Sequence, residues 1–272
     1  MNARISSELP TVSIITPSFN QGEFIERTLR SVVSQAGVGS EFELEYIIVD
    51  GVSDDSSVSI IKKYADQYPC IQWVSEHDKG QSDAINKGLR QASGDICGWL
   101  NSDDELSPSA LQQVIQLSNA NPKANWFIGN CIMIDNDGRE CFKWITAYKK
   151  FWLRNYSFNR LLIEDFISQP STFWRREFLS DVGLLDINDH TAMDYDLWLR
   201  MGKKSDPAIT LATLARHRRY KESKTGSRYI EQARQSFLAA KRHTSNRSIL
   251  LQNRMNAAAR IFLYKAVDLL FW

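Results

Sequence analysis

The sequence predicts an α/β protein: a Rossmann-like, mostly parallel sheet flanked by helices and followed by a helical C-terminal tail. Three observations point there. Short apolar runs alternate with amphipathic stretches of ten or more residues, the signature of right-handed βαβ units. Each apolar run ends in polar residues, as strands do where a parallel sheet turns its carboxyl edge toward a ligand. An apolar content of 43% in 272 residues is that of a globular chain able to bury one large core.

The elements follow in order. Thr11–Ser18 reads as a buried strand, with Val12, Ile14 and Ile15 ahead of Pro17. Residues 22–35 carry Phe24, Ile25, Leu29, Val32 and Val33 on one helical stripe. Residues 45–50 (EYIIVD) form a second strand that ends in a carboxylate, and 56–68 a second helix. Ile71–Ser75 is the third strand, 80–92 the third helix, and 96–100 a fourth strand that runs into Asn-Ser-Asp-Asp. Beyond residue 139 the pattern turns mixed and aromatic (Phe142, Trp144, Tyr148, Phe151, Trp152, Tyr156, Phe158), and from residue 229 onward it is helical.

The net charge of +1 hides an asymmetry. Between Arg216 and Lys265 lie thirteen Lys/Arg and only two acidic residues, Glu222 and Glu231, which leaves the rest of the chain at −10. A basic rear part suits phosphate-rich partners, with a solvated basic helix as the ordinary alternative. No apolar run reaches the ~18 residues of a membrane span. The final stretch, residues 257–272, mixes apolar and aromatic side chains with Arg260, Lys265 and Asp268, and suits either an anionic membrane interface or packing on the core. Residues 1–10 lack the apolar centre of a secretory signal. Cys70, Cys97, Cys131 and Cys141 form no CxxC pair, which argues against zinc and for a cytoplasmic setting, peripheral on the inner face of the plasma membrane if the tail docks there.

The chain has no Walker lysine motif and no GxGxxG after its first strand, so a nucleotide's diphosphate needs another counter-charge. Asn101-Ser102-Asp103-Asp104-Glu105 offers one. Carboxylates crowded at a strand end repel each other unless a cation joins them, and oxygen donors favour Mg²⁺ or Mn²⁺. Taken alone, the same run reads as an acidic helix cap. Asp50 can accept from a base N–H or a ribose hydroxyl, while Asp54, Asp55 and Ser56 read as caps of the following helix. His77-Asp78-Lys79-Gly80-Gln81 is a turn that pivots on Gly80. Asp194 and Asp196, in isolation, read as acids at the positive end of a helix.

Taken together these segments resemble glycosyltransferase family 2, whose members have a GT-A fold and act with inversion. The resemblance rests on VSIITPSFN (12–20), VDGVSDDS (49–56), DKGQSDAINKG (78–88), GWLNSDDE (98–105), SQPSTFWRRE (168–177) and MDYDLWLR (193–200), in the family's order and spacing. It implies a domain over 11–226, with a nucleotide-binding half (11–105) and an acceptor and catalytic half (106–226), preceded by an extension (1–10) and followed by a basic, apolar tail (227–272). It also implies roles. Asp50 would contact the nucleobase beside Pro17, Phe19 and Asn20. Asp78 and Lys79 would close the nucleoside pocket, and Asp83 would face the donor. Asn101, Ser102 and Asp103 occupy the family's DxD positions, with Asp103 and Asp104 as ligands to Mn²⁺ or Mg²⁺. The first Asp of that motif is Asn here.

Asp194 stands at the family's catalytic carboxylate, with Met193 where Glu is common. Tyr220 stands where His is common, and Arg218 and Lys224 would offset the departing diphosphate. The implied partners are a nucleotide-sugar, UDP-linked by preference, and a carbohydrate or lipid-linked acceptor in bacterial surface polysaccharide assembly. The aromatic stretch from Phe142 to Phe158 fits the acceptor side, though core packing explains its rings equally well. A nucleotidyltransferase is the second enzyme reading, but Gln21-Gly22-Glu23 is a poor match to its glycine-rich basic loop. Asn101, Met193 and Tyr220 keep a third reading open, an inactive carbohydrate or lipid-phosphate binding protein. No nucleic-acid reading motif occurs.

Overall fold

A computed structural model describes residues 9–189, 191–220 and 229–271, with side chains from 230 onward described to residue 262. Strands β1 (Thr11–Ser18), β2 (Glu43–Asp50), β3 (Ile71–Ser75) and β4 (Ile96–Trp99) alternate with helices α1 (Ile25–Val33), α2 (Ser57–Gln67) and α3 (Gln81–Gln91). These four strands pair in parallel, with Ser18 level with Asp50 and Ile15 level with Trp99. Their carboxyl ends therefore lie along one edge, where the polar turns gather.

The rest of the sheet comes from later in the chain: β5 (Glu105–Leu106), β6 (Trp126–Ile134), β7 (Glu140–Cys141), β8 (Thr172–Arg175) and β9 (Ala208–Arg218). The order is β3-β2-β1-β4-β8-β6-β9-β5, with β7 beside β6. Pairings of β8 with β4 and β6 are antiparallel, while the long β6–β9 pairing is parallel, so the sheet is mixed and mostly parallel.

Because neighbouring strand residues point to opposite faces, Ile14 and Ile48 enter one core while Ile15 and Ile47 enter the other. The second core holds a tryptophan cluster. Trp198 stacks on Trp99 at 5.5 Å and on Trp126 at 6.2 Å. Gly88 lets α3 lie close on the sheet, since a Cβ there would stand 2.5 Å from Ile15. The flanking helices are α4 (Ala110–Ala120), α5 (Lys143–Arg154), α6 (Phe158–Ile163), α7 (Phe178–Val182) and α8 (Met193–Lys204). The helical tail is a hairpin of α9 (Tyr229–His243), which packs on α8, and α10 (Arg247–Phe271), which packs on α6.

Asp196 of α8 ties that hairpin down, accepting from Arg200, Arg242 and His243. Although burial works against its charge, His243 and Arg242 hold its carboxyl well below the usual range. Asn253 of α10 is buried and donates to the carbonyl of Leu162, so the first half of α10 packs on the domain. Among the described residues no helix is long and apolar enough to cross a membrane.

Candidate active site

A cleft of about 970 Å³ opens at the carboxyl edge of β1, β2 and β4. Pro17, Ser18 and Phe19 from the end of β1, Gly51 after β2, and His77 and Asp78 after β3 line one end. The close approach at Gly51 is tight: a Cβ there would stand 2.7 Å from the Asp78 carboxylate and 3.4 Å from the Phe19 ring. The adjoining turn holds Val52 at φ 66°, a left-handed conformation that costs a β-branched residue energy. Asn20, at φ 51°, fastens this turn: its N–H donates to Ser53 Oγ and its Oδ1 accepts the Asp54 N–H.

Asn101, Ser102 and Asp103 form the floor. Asn101 is a neutral hub: its Oδ1 accepts from Gln81 at 2.7 Å, and its Nδ2 donates to Gln169 at 3.2 Å and to Asp104 at 3.4 Å. Asp103 Oδ2 accepts the Tyr220 hydroxyl at 3.0 Å. Burial and the neighbouring Asp104 push the Asp103 carboxyl up to about 6. Burial works against a charge on His217, but the charge and hydrogen bond of Asp104 outweigh it and raise the imidazole's pKa.

Six of the expected positions are engaged within the protein or stand off the cleft lining. Asp104 is fully buried and its Oδ1 accepts from the Arg218 N–H at 2.8 Å and His217 at 3.0 Å, so it braces β9 and does not line the cleft. Arg218 is buried too. Its guanidinium donates to the carbonyls of Asp103, Asp135 and Asn136 and pairs with Glu105, which commits four of its five N–H groups inside the protein. Asp50 is buried with its carboxylate taken by Ser53 and Ser75, so it shapes the turn rather than the cleft wall. Asp83, in the first turn of α3, accepts the N–H of Lys79 just ahead of the helix; neither residue lines the cleft, nor does Asn20. Lys224 lies outside the described residues.

The cleft is also lined by Asp194, the second residue of α8, whose Oδ1 accepts the Tyr195 N–H at 2.8 Å. Burial raises its carboxyl above the usual value against the pull of that N–H and of Lys149. Beside it stands Asp165, which the sequence reading missed. It lines the cleft, its Oδ1 is buried without a partner, and burial with the Asp194 charge pushes it up to about 7. Lys149 was also missed; it lines the cleft and donates to Ser168 at 3.1 Å. Of the aromatic stretch, Trp144 and Tyr148 line the cleft, Phe151 faces outward, and Trp152, Tyr156 and Phe158 pack on the core. Asp165 stands in IEDF and Lys149 in AYKKF, neither within a recognisable motif; only the neighbouring SQPSTF segment hinted that this loop returns to the site.

For a divalent cation the donor set is narrow. Among the described residues no group of three or more His, Cys, Asp and Glu is placed to hold one. Asp103 alone fits, in the manner of ions held by one carboxylate plus substrate phosphates, and its raised proton affinity is the kind a cation relieves.

Comparison with known proteins agrees with this architecture. The chain is 30% identical over 196 residues (72% of this chain, 73% of the relative) to the putative teichuronic acid biosynthesis glycosyltransferase TuaG of Bacillus subtilis. It is 26% identical over 193 residues (61% of this chain, 59% of the relative) to a GalNAc(5)-diNAcBac-PP-undecaprenol β-1,3-glucosyltransferase of Campylobacter jejuni. A mannosyltransferase from Pyrobaculum calidifontis, solved with GDP-Man and Mn²⁺, superimposes with a TM-score of 0.69 at 21% identity, over 96% of this chain and 76% of that one. TarS 1–349 of S. aureus, solved with UDP-GlcNAc, gives 0.67 at 18% identity, over 93% and 72%. The Glycosyl transferase family 2 model matches residues 13–183, which takes in the Gly51 turn, the Asn101–Asp103 floor and Asp165, and the chain is therefore a glycosyltransferase of family 2 with the GT-A fold.

Proposed function

We propose that this protein transfers a sugar from a nucleotide-sugar, a UDP-sugar by preference, to an acceptor hydroxyl with inversion, and that Asp194 is the general base. The observation that carries the reading is that one cleft at the carboxyl edge of the sheet is lined by Pro17, Phe19, Gly51, Asp78 and Asn101–Asp103 together with a base of raised proton affinity, Asp194. Single displacement needs that arrangement. The base must lie away from the leaving diphosphate, and its pKa must rise toward working pH for proton transfer to be effective. Asp196 is ruled out for this role by its three basic partners.

Phe19 gives the nucleoside an exposed ring to stack on, and Asp78 closes that end over Gly51. Asn101 stays neutral and links Gln81, Gln169 and Asp104 beneath the donor. A divalent cation, when bound, would be held by Asp103 with the donor's own phosphates and would offset charge on the leaving group. Lys149 lines the same cleft and supplies a cation of the chain's own. The acceptor hydroxyl enters from the side of Trp144, Tyr148 and Asp165.

The similarity to a glucosyltransferase named for an undecaprenol-linked glycan supports a lipid-linked acceptor in surface polysaccharide assembly. The test is release of free nucleotide from UDP-, GDP- and dTDP-sugars by the native chain and by Asp194→Asn. Turnover of one donor, lost in the variant while nucleotide affinity is kept, supports the reading. Full turnover in the variant overturns Asp194 as base, and a chain that binds none of these donors overturns the nucleotide-sugar reading.

A further inference from the structure

We propose that α5 and the first half of α10 form one docking face for an anionic lipid bilayer, set around the acceptor side of the cleft. The inference deepens the acceptor reading above and takes its purpose from it, but vesicle binding tests it without any turnover.

Helix α5 presents Trp144, Tyr148 and Phe151 on a single face, since positions i, i+4 and i+7 align, and they are 50%, 41% and 55% exposed. The opposite face buries Thr146 and Leu153. Scattered apolar residues on a surface are ordinary, but an exposed aromatic stripe that runs from the cleft rim at Trp144 and Tyr148 out to Phe151 marks a contact surface. Helix α10 repeats the pattern with Leu251, Met255 and Phe262, which are 60%, 64% and 77% exposed on one face.

Charge identifies the occupant. Lys149 and Arg260 turn into the cleft, but Lys143, Lys150 and Arg154 of α5 and Arg247 and Arg254 of α10 remain around the two stripes, and neither stretch, 143–154 or 247–262, contains an acid. Aromatic and aliphatic side chains flanked by Lys and Arg match the boundary between acyl chains and anionic headgroups.

The two helices belong to one surface. Glu164 accepts from Tyr148 of α5 at 2.6 Å and from Asn256 of α10 at 3.0 Å, and it is itself paired with Arg160. Trp144 and Tyr148 on one side, and Asn256, Ala259 and Arg260 on the other, line the same cleft. A bilayer met by both stripes therefore lies against the opening through which a lipid-linked acceptor would enter.

The experiment is cosedimentation of the full chain with vesicles of phosphatidylcholine alone and of phosphatidylcholine with phosphatidylglycerol. The native chain is expected to bind only the second. Lys143→Gln with Lys150→Gln should weaken that binding by about 25-fold, from about fivefold per basic residue near an anionic surface. Phe151→Ala with Met255→Ala should weaken it by at least tenfold, because each loses apolar area from the interface. Lys203→Gln with Lys204→Gln removes two exposed charges on α8 and should leave binding unchanged. Nucleotide affinity, measured in parallel, shows that each variant is folded. Absence of vesicle binding, equal binding to both vesicles, an α8 variant as weak as the α5 variant, or a loss seen only on deleting 263–272 would each overturn the proposal.

Discussion

Replacing Asn101 by Asp restores the family's first acidic position and sets a carboxylate where an amide now donates. Asn101 Nδ2 lies 3.4 Å from Asp104 Oδ2 and 3.2 Å from Gln169 Oε1. Gln169 can turn its amide to suit, but Asp104 cannot retreat, because the Arg218 N–H and His217 hold its other oxygen. Two unit charges about 4 Å apart repel by about 4 kcal/mol at an effective dielectric near 20. Protonating one of them at pH 7 costs a similar amount, about 4 kcal/mol, so neither escape is cheap. The variant should lose about 2–4 kcal/mol, a fall in Tm of roughly 5–15 °C for a chain of this size.

The sign with pH is fixed by the same repulsion. It raises the folded-state pKa of the pair above the unfolded value, so the cost is full at high pH and fades as pH falls through that raised value. Thermal melts of the native and Asn101→Asp chains at about pH 7 and about pH 5, in EDTA and with Mn²⁺, provide the assay. The gap should narrow on acidification and again with Mn²⁺. A variant as stable as the native chain in EDTA, or a gap that widens toward acid, would refute the account of Asn101 as the neutral spacer of this floor.

Three further outcomes follow from the geometry. Asp165→Asn removes the carboxyl that burial and the Asp194 charge push up to about 7, so an inflection of the kcat/KM profile near pH 7 should disappear while the acid limb set by Asp194 stays; a native profile with no inflection there, or one that survives the substitution, refutes the pairing. Arg218→Met strips buried hydrogen bonds from three carbonyls and leaves Glu105 without its buried partner, which should cost about 3–5 kcal/mol in urea denaturation; a diphosphate-binding role would instead weaken nucleotide affinity at unchanged stability. Val52→Gly relieves a left-handed β-branched residue at an exposed site. It should gain about 0.5–1 kcal/mol after glycine's greater unfolded-state entropy is set against about 1–2 kcal/mol of strain.

The order of the first four strands and three helices was legible because their signals are local: Val12, Ile14 and Ile15 before Pro17, and the EYIIVD run, need no distant partner to declare themselves. The positions Pro17, Phe19, Asp78, Asn101 and Asp103 were legible for a related reason, since strand ends in a parallel sheet converge wherever they occur in sequence, and all five line the cleft; Asp194, on helix α8, was singled out only by the family resemblance. What local pattern could not decide was which charged groups would be spent inside the protein. Asp50, Asp104 and Arg218 are chemically fit for a nucleotide site. Ser75 reaches Asp50 across 25 positions, and β9 reaches Asp104 across more than a hundred, and these contacts consume them. The same long-range folding carries Asp165 and Lys149 to the wall beside Asp194, and lays α10 next to α5 through Glu164. A side chain's type sets which bonds it can make, and only the packed chain sets whether protein or ligand makes them.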